Sequence, residues 1–94
     1  MKQVLYTRHL ELRLRLRGID TVLPKDIYAT ARRRYVDTVT AHFVAIKRVP
    51  LAGRSRDVAL IYEEQDTVVW LVTIHPLKRR QLSSRILSGR WRKL

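Results

Sequence analysis

The chain has no cysteine and only three glycines and three prolines. Without cysteine it can form no disulfide, no thiolate zinc site and no cysteine nucleophile. Three scattered glycines leave no glycine-rich phosphate loop. The three histidines, His9, His42 and His75, lack the close H-x-x-x-H spacing of a metal pair, so neither a metal nor another cofactor is expected. No Ser-His-Asp arrangement is readable from residue order. The longest apolar run is far shorter than a membrane span, and the opening "MKQVLYTRHL" carries a charged Arg-His pair where a secretion signal needs its apolar stretch. A soluble, unprocessed protein with no membrane partner is expected, with the cytoplasm as the default compartment.

Negative charge is the other scarcity. Twenty Lys and Arg stand against eight Asp and Glu, a formal charge of +12. Solubility alone does not ask for so much, and self-repulsion makes it costly, so a polyanion is the expected partner: RNA or another nucleic acid first, an acidic protein as rival. The hydrophobic share of 46% is that of a folded domain. At 94 residues the chain is expected to be one domain, 1–94, with a single modest core and no deep cofactor cleft. It holds no internal repeat, low-complexity tract or linker.

Residues 9–18, "HLELRLRLRG", alternate leucine and arginine with the period of a strand. Their composition favours a helix, Thr7 offers an N-cap and Gly18 a C-cap, so the reading is a helix over 8–17. That choice puts His9, Arg13 and Arg17 on one stripe and Leu10 with Leu14 nearly opposite Leu12 with Leu16. Two opposed leucine pairs need two apolar neighbours. One is the sheet; the other is a second helix or another chain, which brings in a homodimer or a bound partner.

A short strand is plausible at 3–6. Residues 20–35, "DTVLPKDIYATARRRY", read as an amphipathic helix with Leu23, Ile27, Ala31 and Tyr35 every four residues. Asp20 or Thr21 can cap it, and Pro24 suits its first turn. "VDTVTAHFVAIKRV" reads as a strand with Val39, Ala41, Phe43 and Ala45 inward. A turn in "PLAGRSR" joins it to the strand "DVALIYEE", and "TVVWLVTIH" reads as a central strand covered on both faces. A short helix carrying Leu82 and Ile86 ends near Gly89.

Several stretches taken together look like a known group. "YTRHLELRLRLRGI" resembles the H-x-x-x-R opening, with a second Arg before Gly-Ile, of small prokaryotic domains of unassigned function related to BrnT-type and RelE/ParE-type toxins. "YVDTVTAHFVAIKRV", "RDVALIYEE", "VTIHPLK" and "SGRW" resemble the rest of that pattern, which runs over nearly the whole chain. The resemblance implies an α+β, RelE/ParE-like fold: N-terminal helices packed on a three- to four-stranded antiparallel sheet, plus a short C-terminal helix. It also implies an RNA-cleaving toxin held in check by an acidic antitoxin. The matching positions are His9, Arg13, Arg56, Asp57, His75, Arg90 and Trp91; toxins of this class differ in catalytic residues, so no fixed set transfers.

Metal-independent RNA cleavage needs a base for the 2′-hydroxyl, an acid for the leaving oxygen and cations for the phosphorane. His9 and His75 are candidates for proton transfer, and Arg13, Lys47 and Arg56 for holding the phosphate. His9 could equally cap its helix, and His75 could be an edge histidine satisfied within the fold. Arg56 next to Asp57 could be an ion pair at a strand start. In the basic C-terminus, Lys78, Arg79, Arg80, Arg85, Arg90, Arg92 and Lys93 could track phosphates while Trp91 stacks on a base. The alternative is a non-catalytic nucleic-acid-binding or protein-complex module on the same fold.

Overall fold

The computed structural model describes residues 2–94. Along the chain run β1 (Gln3–Tyr6), α1 (Arg8–Arg17), α2 (Leu23–Thr30), β2 (Arg33–Asp37) and β3 (Phe43–Leu51). These are followed by β4 (Arg54–Glu64), β5 (Val68–Pro76), α3 (Gln81–Leu87) and β6 (Trp91–Lys93). The strands form one six-stranded sheet in the order β1-β5-β4-β3-β2-β6. β1 lies parallel to β5, and the other pairs are antiparallel.

This corrects the expected RelE/ParE-like sheet of three or four antiparallel strands behind N-terminal helices. The sheet is mixed, twice as wide as the lower expectation, and the chain enters it before either helix. The extra width comes from both ends of the chain and from a helix that stops early. Leu23, Ile27 and Ala31 do follow a helical period, but Ala31 adopts extended geometry with ψ 135° and the next residues become β2. Arg34 enforces the stop. Its guanidinium donates to the carbonyls of Ala31 and Tyr28, which the end of α2 leaves free. Tyr35 thus continues the four-residue spacing by coincidence and belongs to a strand.

End signals also decide the leucine–arginine stretch. The Thr7 hydroxyl accepts from the Leu10 N–H, and Gly18 closes α1 in the left-handed conformation at φ 61°. Leu10 and Leu14 are buried under the sheet, whereas Leu12 and Leu16 stay in solvent, Leu16 at 75% exposure. Among the described residues the second leucine pair belongs to neither buried apolar cluster.

The expected strand over 36–49 is broken by a turn. The Asp37 carboxylate accepts from the N–H groups of Val39 and Thr40 and folds the chain back. Val39 and Ala41, expected in the core, are exposed on that turn. The β3–β4 hairpin turns on Ala52 and Gly53, both at positive φ, 53° and 82°, which is the geometry that matches strand twist.

α1 and α2 cover one face of the sheet, burying Leu10, Leu14 and Ile27 against Val58, Leu60, Tyr62, Leu71 and Ile74. Burial of each such side chain stabilises by roughly 1.5–3 kcal/mol. On the other face a smaller cluster, Tyr35, Val44, Ile46, Ala59, Leu77 and Trp91, lies beneath Leu82 of α3. β5, expected to be covered on both sides, leaves Trp70 and Val72 half-buried. No helix among the described residues is long and apolar enough to cross a membrane.

Candidate nucleic-acid interface

β4 is longer than its neighbour. The last β4–β5 pair is Val58 with Pro76, so residues 54–57 run on beyond the end of β5. The chain leaving β5 turns back beside this projection; the Leu77 N–H donates to the Asp57 carbonyl at 2.9 Å. Between the projecting hairpin and the segment leading into α3 lies an open groove of about 460 Å³. Arg48, Arg54 and Arg56 come from the hairpin side, and Lys78, Arg79 and Arg80 from the other. Leu77 and Leu82 floor part of it.

Six cationic residues and one carboxylate, Asp57, line the groove; strand alternation turns Arg48 and Asp57 to the α3 face, while Arg54 and Arg56 leave the projecting hairpin on the face of Val58, at the groove's rim. That carboxylate is already engaged. Arg33 of β2 donates to both of its oxygens, at 2.8 and 3.3 Å, and Arg48 lies 3.8 Å away. The Arg33 hydrogen bonds hold the Asp57 carboxyl below its ordinary range against the opposing effect of burial, helped by the charges of Arg33 and Arg48. Asp57 therefore stays ionised and is spent on Arg33. Among the described residues Arg54, Arg56, Lys78, Arg79 and Arg80 have no carboxylate partner. Arg80 also sits in the left-handed region at φ 65°, a conformation that costs a non-glycine residue about 1–2 kcal/mol.

Of the residues singled out from sequence, Arg56, Lys78, Arg79 and Arg80 line this groove. Lys47 does not. It pairs in register with buried Val58, on the face covered by α1 and α2, and its ammonium binds Asp26 at 3.0 Å and Thr30 at 2.7 Å. Arg90 is bound to Asp37 at 3.2 Å. Trp91 is only 4% exposed; its indole N–H donates to Asp37, and the Arg85 guanidinium lies 5.9 Å from its ring centre. Arg90 and Trp91 thus hold the β2–β6 end together, and the Trp91 ring is not available to stack on a base.

Arg13 and His75 approach each other at the open edge of β5. β1 pairs only with residues 68–71, and carbonyls further along β5 are taken by the side chains of Thr7, which caps α1, and Arg13, in its middle. The Thr7 hydroxyl donates to Val72 O at 2.8 Å, and Arg13 Nε to Ile74 O at 2.9 Å. His75 follows at once. Burial, then the positive charges of Arg13 and Arg85, hold its imidazole below the ordinary value of 6.5, so it is neutral at neutral pH. His9 stands one helical turn before Arg13 and is exposed.

Arg48 and Arg54 belong to the groove and were missed from sequence. A turn around Gly53 was legible, but which residues project past β5 depends on where the β4–β5 register ends. Arg85, expected to track phosphates, instead lies near Trp91 and His75, with its Nε buried and without a hydrogen-bond partner. No group of three or more His, Asp or Glu among the described residues is placed to hold a metal ion. No family model, no curated protein and no solved structure matches the chain, so its function is argued from this site.

Proposed function

We propose that this chain is a toxin-like basic protein that binds RNA along the groove between the β3–β4 hairpin and the segment leading into α3. One observation carries the reading: six cationic residues line or rim a groove whose one carboxylate among the described residues is already paired. Desolvating that many like charges against one another is unfavourable, and a phosphate backbone relieves it while releasing its condensed counterions. An acidic protein segment seated in the same groove would compete with RNA, which is the role an antitoxin would fill. The reading places the protein in the cytoplasm.

The test is charge reversal. Arg54→Glu with Arg56→Glu is expected to weaken RNA binding about a hundredfold at moderate salt, since each charged contact contributes about 1.5–3 kcal/mol. Both side chains lack internal partners, so the melting temperature should stay close to that of the parent. RNA affinity unchanged by the pair of reversals would sink the proposal.

A second reading, metal-independent cleavage, is favoured by the neutral imidazole of His75 beside Arg13 and Arg85. In that chemistry His75 takes the 2′-hydroxyl proton and the 2′-oxygen attacks phosphorus. The bond to the 5′-oxygen breaks, and a protonated group or water supplies the leaving oxygen with its proton. The arginines stabilise the phosphorane. Incubating RNA with the protein in EDTA, beside His75→Gln, decides it: cleavage by the parent alone supports the enzyme, and binding without cleavage by either leaves the binding module.

A further inference from the structure

We propose that the groove receives the sugar-phosphate ridge of a double-stranded stem, with the bases turned away from the protein. This rests on the RNA reading above and narrows it to a substrate class.

The first observation is the distribution of aromatic rings. Proteins that hold single strands pair a cationic track with exposed rings on which successive bases stack. Here no aromatic residue lines the groove among the described residues. Trp91 and Tyr35, the rings beneath α3, are both buried. Trp70, half-buried on the same face as α3, pairs with Glu63, so about 20 Å of strand separates it from Arg56. Unpaired bases would find nothing to stack on.

The second observation is the arrangement of charge. Arg48 on the α3 face of the hairpin, with Arg54 and Arg56 at its rim, lies across the groove from Lys78, Arg79 and Arg80. A cationic hairpin opposite a cationic loop suits a ridge of phosphates that enters between them. A duplex presents such a ridge on its outside with its bases already paired and stacked inside, so nothing is lost by keeping them away from the protein. A single strand held this way would forgo stacking altogether. The arginines could read base edges in an open strand, but the deep, narrow major groove of an A-form stem keeps those edges out of their reach, and among the described residues the uncharged polar lining is Ser55 and Ser83 alone. Recognition is therefore of shape and backbone, independent of sequence.

The experiment compares three probes on the intact chain at one salt concentration: an RNA hairpin, an oligouridine of the same length, and a DNA duplex matching the stem. The hairpin is expected to bind about tenfold or more tighter than oligouridine, with a slope of log K on log salt of about −5 for contacts to six phosphates. A hairpin with scrambled stem sequence should bind equally well, and Arg56→Glu with Arg79→Glu should abolish the preference. Oligouridine binding as tightly as the hairpin, or a stem-sequence preference, overturns the duplex inference and leaves the RNA reading standing. Failure of both RNAs to bind overturns the RNA reading itself. A preference for the DNA duplex retains the ridge and overturns the assignment to RNA.

Discussion

The two ends of the sheet use the same side chains in opposite ways. Where β2 and β4 finish and β3 and β5 begin, acids are matched within the fold. Asp37 takes Arg90 and the Trp91 indole, Glu63 takes His42 at 2.5 Å, and Glu64 takes Lys2 and Tyr28. At the far end, Arg48, Arg54, Arg56, Lys78, Arg79 and Arg80 share Asp57, which Arg33 already holds. Cation type does not separate the ends, since arginine dominates one and serves the other. What separates them is whether a carboxylate is to hand: Arg90 has Asp37 and is fastened into the structure, whereas the groove cations other than Arg48 have none among the described residues and are left for an external anion.

The largest effect expected from this contrast is on stability. Asp37 is buried and accepts from Val39, Thr40, Arg90 and Trp91. Asp37→Ala leaves those donors unsatisfied and should cost about 3 kcal/mol in urea denaturation, with RNA affinity unchanged. A variant as stable as the parent, or one that binds RNA differently, would break the division between the two ends.

Acid should act on the two ends in separate windows. Burial pushes the Asp37 carboxyl up, but the N–H groups of Val39 and Thr40, the Trp91 indole and the Arg90 charge outweigh it, so the folded value lies below 3.8. Its stabilisation is present above 3.8 and is lost as pH falls through the folded value. His75 has the opposite sense: its folded value lies below 6.5, so on acidification the unfolded chain takes up the proton first. Stability should therefore decline as pH falls below 6.5, at no more than roughly 1.4 kcal/mol per pH unit for one proton. His75→Gln should flatten that part of the stability profile and leave the Asp37 window in place. A decline near pH 6 of equal slope in both proteins would remove His75 from the account.

The smallest effect sharpens the comparison within one residue. Arg80→Gly relieves the left-handed backbone at φ 65° while deleting a groove cation. Stability should rise by up to about 1 kcal/mol, measured by thermal melts, while RNA affinity falls. Parallel changes in both quantities would show that Arg80 supports the fold and not the ligand.

α1 was legible from residue chemistry because its decisive signals are local: Thr7 before it and Gly18 after it act within one turn of the chain. The hairpin turn at Gly53 is of the same kind. The helix expected to reach Tyr35 failed because its stop is enforced by Arg34, a residue beyond the end reaching back to carbonyls that periodicity cannot see. For the site, charge excess pointed to a basic surface and to Arg56, Lys78 and Arg79, but it could not separate them from Lys47 and Arg90. Those two look the same in sequence, and differ only because Asp26 and Asp37 are folded against them.

By itself, then, the sequence settled the surplus of positive charge and the absence of thiol chemistry and favoured a helix for the leucine–arginine stretch, because each depends on composition or on neighbours within a turn. The six-stranded width of the sheet, the projection of β4 past β5 and the choice of which arginines remain unpaired were decided by the tertiary structure. Strand pairing and ion pairing join residues far apart in the chain, and no local signal encodes which partner will stand opposite.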